Sequence, residues 1–151
     1  MSLLTPDITH HIGTSLPPFD FEVSRNDIRK YAIATGQRNP RFLSGDEAPL
    51  LFLFSAMIPR TPLEQLRPDG HHPDNPLIPV LPLKRIMAGG SEFQVLGRIM
   101  GGETLTVRQR ILDIHEKEGA SGPLIFLILE NRYERQDGSP VVIEKLTRIA
   151  R

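Results

Sequence analysis

Acid–base chemistry near neutral pH needs imidazole and carboxylate side chains held at a fixed spacing, and this sequence offers few of either in useful places. Its five histidines fall as the pair His10-His11, the pair His71-His72, and His115 alone. Adjacent side chains diverge in any regular structure, and neither pair has a spaced third ligand. They are therefore read as residues of an arm and of a loop, and no metal site is expected. His115, followed by Glu116, falls at the end of a strand and is read as a surface residue. Asp46 and Glu47 stand at the head of an apolar run, where Asp46 suits helix capping. The chain has no cysteine, so it has no disulfide, thiol nucleophile or cysteine-based zinc site.

The run that Asp46 introduces is PLLFLFSAMI, Pro49 to Ile58, with no charge and one hydroxyl. Asp46 as N-cap and a proline tolerated in the first turn predict a short helix over Glu47 to Ile58. It is apolar all round, so it is expected to be buried on every side, with the strands downstream surrounding it.

The other elements come in chain order. Residues 1–16 have weak periodicity and read as a loosely held arm. Phe19 to Val23 alternates apolar and acidic residues as a half-buried strand does. Ser24 caps a short helix with Ile28, Tyr31, Ala32 and Thr35 on one face, and Gly36 suits the left-handed position that ends it. In GQRNPRFLSGDEAP, Asn39 before Pro40 sets an extended or turning backbone that leads toward the apolar helix. The start of that helix could hold a carbonyl or an anion on its free N–H groups. Residues 59–82 carry seven prolines and Gly70, and read as one long loop.

From Lys84 onward, strand succeeds strand: Lys84 to Val95, Thr104 to Glu116, Leu124 to Arg135 and Val141 to Ile149. Arg98 to Gly102 and Gln136 to Ser139 read as turns, and Gly89-Gly90 marks a bulge or a point of close approach. Tight connections favour a single antiparallel meander. The order predicts an α+β hotdog fold, a curved antiparallel sheet wrapped around a buried central helix. The arm would be 1–16 and the single domain 17–151.

Lysine plus arginine equals aspartate plus glutamate at 18 each, so no electrostatic footprint points to nucleic acid. No apolar run is long enough to span a bilayer and the first residues lack a signal peptide's plan, so a cytoplasmic protein without membrane contact is expected. Open sheet edges and zero net charge point to a dimer with paired edge strands.

FEVSRNDIRKYAIATGQRNPRF, together with LPLKRIMAGGSEFQVLGRIMGGETLTVRQRILDIHEKEGASGPLIFLILENRYERQDGSPVVIE, resembles the N-terminal hotdog domain of MaoC-like dehydratases, as in mesaconyl-CoA hydratase-like proteins. The similarity spans nearly everything except the arm and the proline loop. It implies hydration or dehydration of an acyl thioester carried on coenzyme A or acyl carrier protein, with no further cofactor, at a site between two hotdog units. It also implies a catalytic Asp and His within Gly-Asp-x-Asn-Pro-x-His. Here Gly36-Gln37-Arg38-Asn39-Pro40-Arg41-Phe42 keeps Gly36, Asn39 and Pro40, but has Gln37 for the Asp and Phe42 for the His. Neither an amide nor a phenyl ring is a general base.

Residues expected to line a substrate site are Tyr31, Gly36, Asn39, Pro40, Gly89 and Gly90. Arg38, Arg41, Arg60 and Arg85 are candidates for coenzyme A phosphates, since guanidinium groups bind phosphate in a bidentate way. The expected function is that of a non-catalytic hotdog subunit, shaping the acyl tunnel in a homodimer or in a heterodimer with a catalytic hotdog partner. The alternative is a homodimeric acyl-CoA-binding module without enzymatic activity. A third reading places activity in Asp46 or His115.

Overall fold

The computed structural model describes residues 2–68, 70, 72–73 and 75–151. They form two compact units. One takes in the described residues of Met1–Phe19, Pro76–Leu96 and Thr106–Arg151, and the other those of Asp20–Asn75 and Gly97–Leu105.

The first unit is built on long antiparallel strands: β3 (Ile86–Val95), β5 (Thr104–Gly119), β6 (Gly122–Glu134) and β7 (Pro140–Ala150). The expected strands are all present. Their order is β5-β6-β7-β3, so the meander covers only the last three. β3 pairs with β7, from Ile86 opposite Ala150 to Val95 opposite Val142, and not with the strand that comes next in sequence. The reason is that the chain between β3 and β5 does not turn tightly; it leaves for the second unit over Gly97–Leu105.

β5 and β6 bury alternate residues over most of their length, and Ile111, Ile114, Ile125, Leu127, Leu129 and, from β7, Ala150 make a core with Ile8, Leu77 and Leu81. Two expectations change here. The arm is docked: its helix α1 (Pro6–Thr9) buries Ile8, Gly13 donates to the Ile111 carbonyl and Leu16 to that of Gln109. The proline-rich segment likewise sends Leu77 and Leu81 into the core and contains a 3-10 turn at Leu63–Gln65. Apolar side chains spaced too irregularly to mark a helix or strand still gain from burial.

The second unit holds β1 (Phe19–Glu22, from Asp20 on), α2 (Arg25–Ala34), α3 (Pro40–Ser44), β2 (Glu47–Ala48), a 3-10 helix at Leu50–Met57 and β4 (Ile99–Met100). Ser24 caps α2 as expected, its hydroxyl accepting from the Asp27 N–H at 3.3 Å. Arg98 to Gly102 is more than a turn, because β4 pairs antiparallel with β2.

The expected central helix is shorter than Glu47 to Ile58 and of a different kind. Glu47 and Ala48 are strand, Pro49 is extended, and Leu50–Met57 is 3-10. It is also two-sided. Phe52 and Leu53 are buried, whereas Leu51, Phe54 and Ile58 are 57%, 64% and 54% exposed. No helix of the described residues is long and apolar enough to cross a membrane.

Candidate functional site

The turn that carries the degenerate motif is shaped by two helix ends in succession. α2 closes with Gly36 at φ +68°, where Gly36 N–H donates to Ile33 and Gln37 N–H to Ala32, a Schellman arrangement that satisfies the last carbonyls. Only glycine takes that backbone conformation without cost. Asn39 then caps α3, its side-chain oxygen accepting from the Arg41 N–H at 3.0 Å, and Pro40 occupies the first helical position. α3 is an element the sequence does not announce; with five residues and a proline it has no periodicity to read.

The same device recurs at the end of α3. Gly45, at φ +79°, donates to Phe42, and Asp46 N–H donates to the Arg41 carbonyl. Asp46 therefore closes the helix before it and does not cap the one after it, whose N-cap position is Pro49. Its carboxylate takes a hydrogen bond from Ser44 Oγ at 2.8 Å and an ion pair from Arg25. The Ser44 bond first, and then the Arg25 guanidinium, hold Asp46 below the usual carboxylate range. Glu47, half-buried in β2, faces Arg41 at 3.4 Å and Arg98 at 4.0 Å.

The candidate residues divide between the two units. Tyr31, Gly36, Gln37, Asn39, Pro40 and Phe42 lie on α2, the turn and α3 of one unit. Gly36, Asn39 and Pro40 are exposed, and Gln37 and Phe42 are half-buried. Tyr31 packs its ring edge-on to Phe52, 5.6 Å between centroids, and Phe21 flanks the same ring at 6.1 Å. Gly89 and Gly90 belong to the other unit. They form the bulge: the register with β7 shifts between Ala88 and Gly90, and Gly90 sits at φ +133°. A Cβ at Gly89 would stand 2.8 Å from Thr147 Cγ2.

Of the candidate arginines, Arg41 pairs with Glu47, Arg85 exchanges backbone hydrogen bonds with Arg151, and Arg38 and Arg60 are exposed. His72 Nδ1 lies 3.0 Å from Thr61 Oγ1, and His71 lies outside the described residues. Among the described residues no three histidine, aspartate or glutamate side chains come together as a metal set.

Two arrangements escape a reading of the sequence. His115 Nδ1 is 2.7 Å from Asp113 Oδ2, and the imidazole stacks on Phe126 with centroids 5.3 Å apart. On the opposite face of the sheet, Gln109 donates to Asn131, and Asn131 and Ser91 both donate to the buried Glu144. Beside them the hydroxyl of fully buried Tyr133 has no hydrogen-bond partner among the described residues. The alternation of β5 and β6 signals both faces but not which polar residues meet across strands.

The antiparallel sheet with few helices is the architecture of a hotdog-fold protein. The chain belongs to the FAS1-like dehydratase domain region family, whose pattern matches residues 10–144. No curated protein sequence matches it closely enough to count as a relative. Solved structures carry the same fold. In the HadBC (3R-hydroxyacyl-ACP dehydratase) complex of Mycobacterium tuberculosis, a chain superposes with a TM-score of 0.68 at 21% identity, over 97% of this chain and 100% of that one. The ChsH1-ChsH2 complex of the same organism gives 0.67 at 17%, over 95% and 90%. The MaoC-like dehydratase of Rhodospirillum rubrum gives 0.55 at 18%, over 92% and 91%.

Proposed function

We propose that this chain is the non-catalytic hotdog subunit of an acyl-thioester hydratase or dehydratase. One observation carries the reading: the motif turn keeps the residues that build it and lacks the residues that react. Gly36 ends α2, and Asn39 and Pro40 start α3, as those positions require. Gln37 and Phe42 occupy the acid–base positions with side chains that cannot exchange a proton near neutral pH.

Gly36 and Gly45 end the two flanking helices, so the backbone of the turn is held although the acid–base side chains are absent. The subunit would therefore keep the turn to shape a shared acyl tunnel and leave proton transfer to a partner with an intact Asp and His. The coenzyme A or acyl carrier protein thioester would be the substrate. Two features support a partner. β3 is an edge strand exposed along nearly its whole length, and Leu51, Phe54 and Ile58 present an apolar strip. That two of the structures sharing the fold are complexes agrees with this.

The test is reconstitution. The purified chain should leave an enoyl thioester unhydrated, and adding a hotdog protein with an intact Gly-Asp-x-Asn-Pro-x-His segment should give turnover above that partner's own. Robust turnover by the lone chain would sink the proposal. Tight acyl-CoA binding without turnover, unaffected by any such partner, would favour a homodimeric binding module instead.

A further inference from the structure

On β5 and β6 the register sets Arg108 directly opposite Arg132, and Arg110 opposite Glu130. Like charges directly across two strands destabilise a sheet, so the Arg108–Arg132 pair needs a reason. Part of it is Glu134, which accepts from Arg108 Nε at 3.0 Å on one oxygen and from Arg132 Nε at 2.5 Å on the other. Burial raises the Glu134 carboxyl, but the hydrogen bonds from Arg108 and Arg132 outweigh it and hold it below the usual carboxylate range. Arg110 Nε meets Glu130 at 2.9 Å.

The compensation is incomplete. Three guanidinium groups face two carboxylates, which leaves one positive charge over. Each arginine donates through Nε to its carboxylate, and among the described residues its terminal nitrogens take no part in these hydrogen bonds. The side chains stay 56%, 52% and 37% exposed at Arg108, Arg110 and Arg132, so these nitrogens are open to solvent. The group lines a cleft of about 330 Å³, closed on one side by Ser15 and Leu16 of the docked arm. That wall is fixed, because Leu16 N–H donates to the Gln109 carbonyl at 3.1 Å.

We propose that this cleft binds a phosphate ester. A carboxylate ligand is satisfied by one guanidinium fork, and the cleft already supplies carboxylates of its own. A tetrahedral phosphate has enough acceptor oxygens to engage several planar forks from different strands at once. The volume leaves room for an organic group beside the phosphate. The assignment stands independently of the thioester reading, since its first test needs neither a thioester nor a partner subunit.

The probe is inorganic phosphate, titrated by calorimetry and by thermal unfolding with chloride adjusted to constant ionic strength. Phosphate should bind and raise the melting temperature. Arg132→Gln and Arg108→Gln should each weaken binding by about tenfold or more, the scale of one lost charge-assisted contact. Glu134→Gln, which frees both Nε groups, should tighten it while lowering stability in the absence of phosphate. Lys30→Gln, an exposed cation away from the cleft, serves as the control and should bind as the unaltered chain does.

A phosphate effect equal in all variants, or none beyond that of chloride, overturns the proposal. So does an Arg132→Gln chain that loses stability without phosphate yet keeps its phosphate affinity, the signature of a purely structural ion pair. Competition separates the sources: coenzyme A displacing phosphate where 3′-dephospho-coenzyme A does not would identify the 3′-phosphate of a thioester carrier. If neither displaces it, the ester comes from elsewhere, with the site itself upheld by the arginine variants.

Discussion

Gln37 and Phe42 are the residues on which the functional reading turns, and both are reversible. Because Gly36, Asn39 and Pro40 hold the turn by backbone conformation and capping, exchanging the two side chains should not disturb it. The double substitution Gln37→Asp with Phe42→His should therefore produce enoyl-thioester hydration above the unaltered chain. General acid–base catalysis contributes about 10²-fold or more, so a spectrophotometric assay would see it. No gain, in a variant that unfolds normally, would mean that the rest of the site is also lost. Tyr133 makes a separate case. Burial, and secondarily the Glu144 charge, push its hydroxyl above the ordinary range, so it stays a protonated donor with no acceptor among the described residues. An orphaned buried donor costs about 1–3 kcal/mol, and Tyr133→Phe removes it while keeping the ring. Urea unfolding should show that variant to be as stable as the parent or more so. A marked loss would reveal a partner for the hydroxyl.

At the scale of elements, legibility in the sequence depends on periodicity and capping. The long strands are legible because alternation survives in β5 and β6, and α2 is legible from Ser24 at one end and Gly36 at the other. PLLFLFSAMI misleads because an all-apolar run carries no period. Its exposed Leu51 and Phe54, three residues apart, reflect the threefold repeat of a 3-10 helix. The site is legible only as a motif: the order Gly36, Asn39, Pro40 can be read, but not that a second glycine repeats the device at Gly45. The pairing of Arg108 with Arg132 depends on a register that no local signal fixes. Gly45 and Gly101 also hold the turn from behind in a way only coordinates reveal. A Cβ on Gly101 would stand 1.9 Å from the Gly45 carbonyl oxygen, and one on Gly45 2.5 Å from that of Arg25. Both contacts are to backbone, which cannot rotate away. Gly101→Ala should cost at least about 2 kcal/mol in chemical denaturation, within the range for overpacking. Gly13→Ala, with a positive φ but open space around it, should cost less.

For the molecule as a whole, acid is the natural stress. Asp46, Glu116, Glu134 and Asp137 all sit below their ordinary values. A carboxylate depressed on folding contributes stability that is present above its unfolded value and lost as the pH falls through the folded one. The ordinary values are 3.8 for aspartate and 4.5 for glutamate, so stability should hold near neutrality and decline below that range. Unfolding curves recorded from about pH 7 down to about pH 3 should show this, and Glu134→Gln should flatten part of the slope. The open sheet edge also bears on association. β3 is the open edge beyond β7, and Ile86, Met87, Val95 and Leu96 are 50%, 37%, 58% and 48% exposed on or beside it. An edge with unpaired backbone groups and apolar side chains recruits another strand unless charge or a bulge prevents it. The bulge at Gly89-Gly90 protects only one end, so pairing should run through Ser91 to Val95. Lysine at Val95 places a charge in that contact at no cost to the core. Sedimentation should find the parent chain associated and Val95→Lys monomeric with an unchanged melting curve. A Val95→Lys chain that still associates would move the interface to the strip of Leu51, Phe54 and Ile58, where Phe54→Lys is the matching substitution.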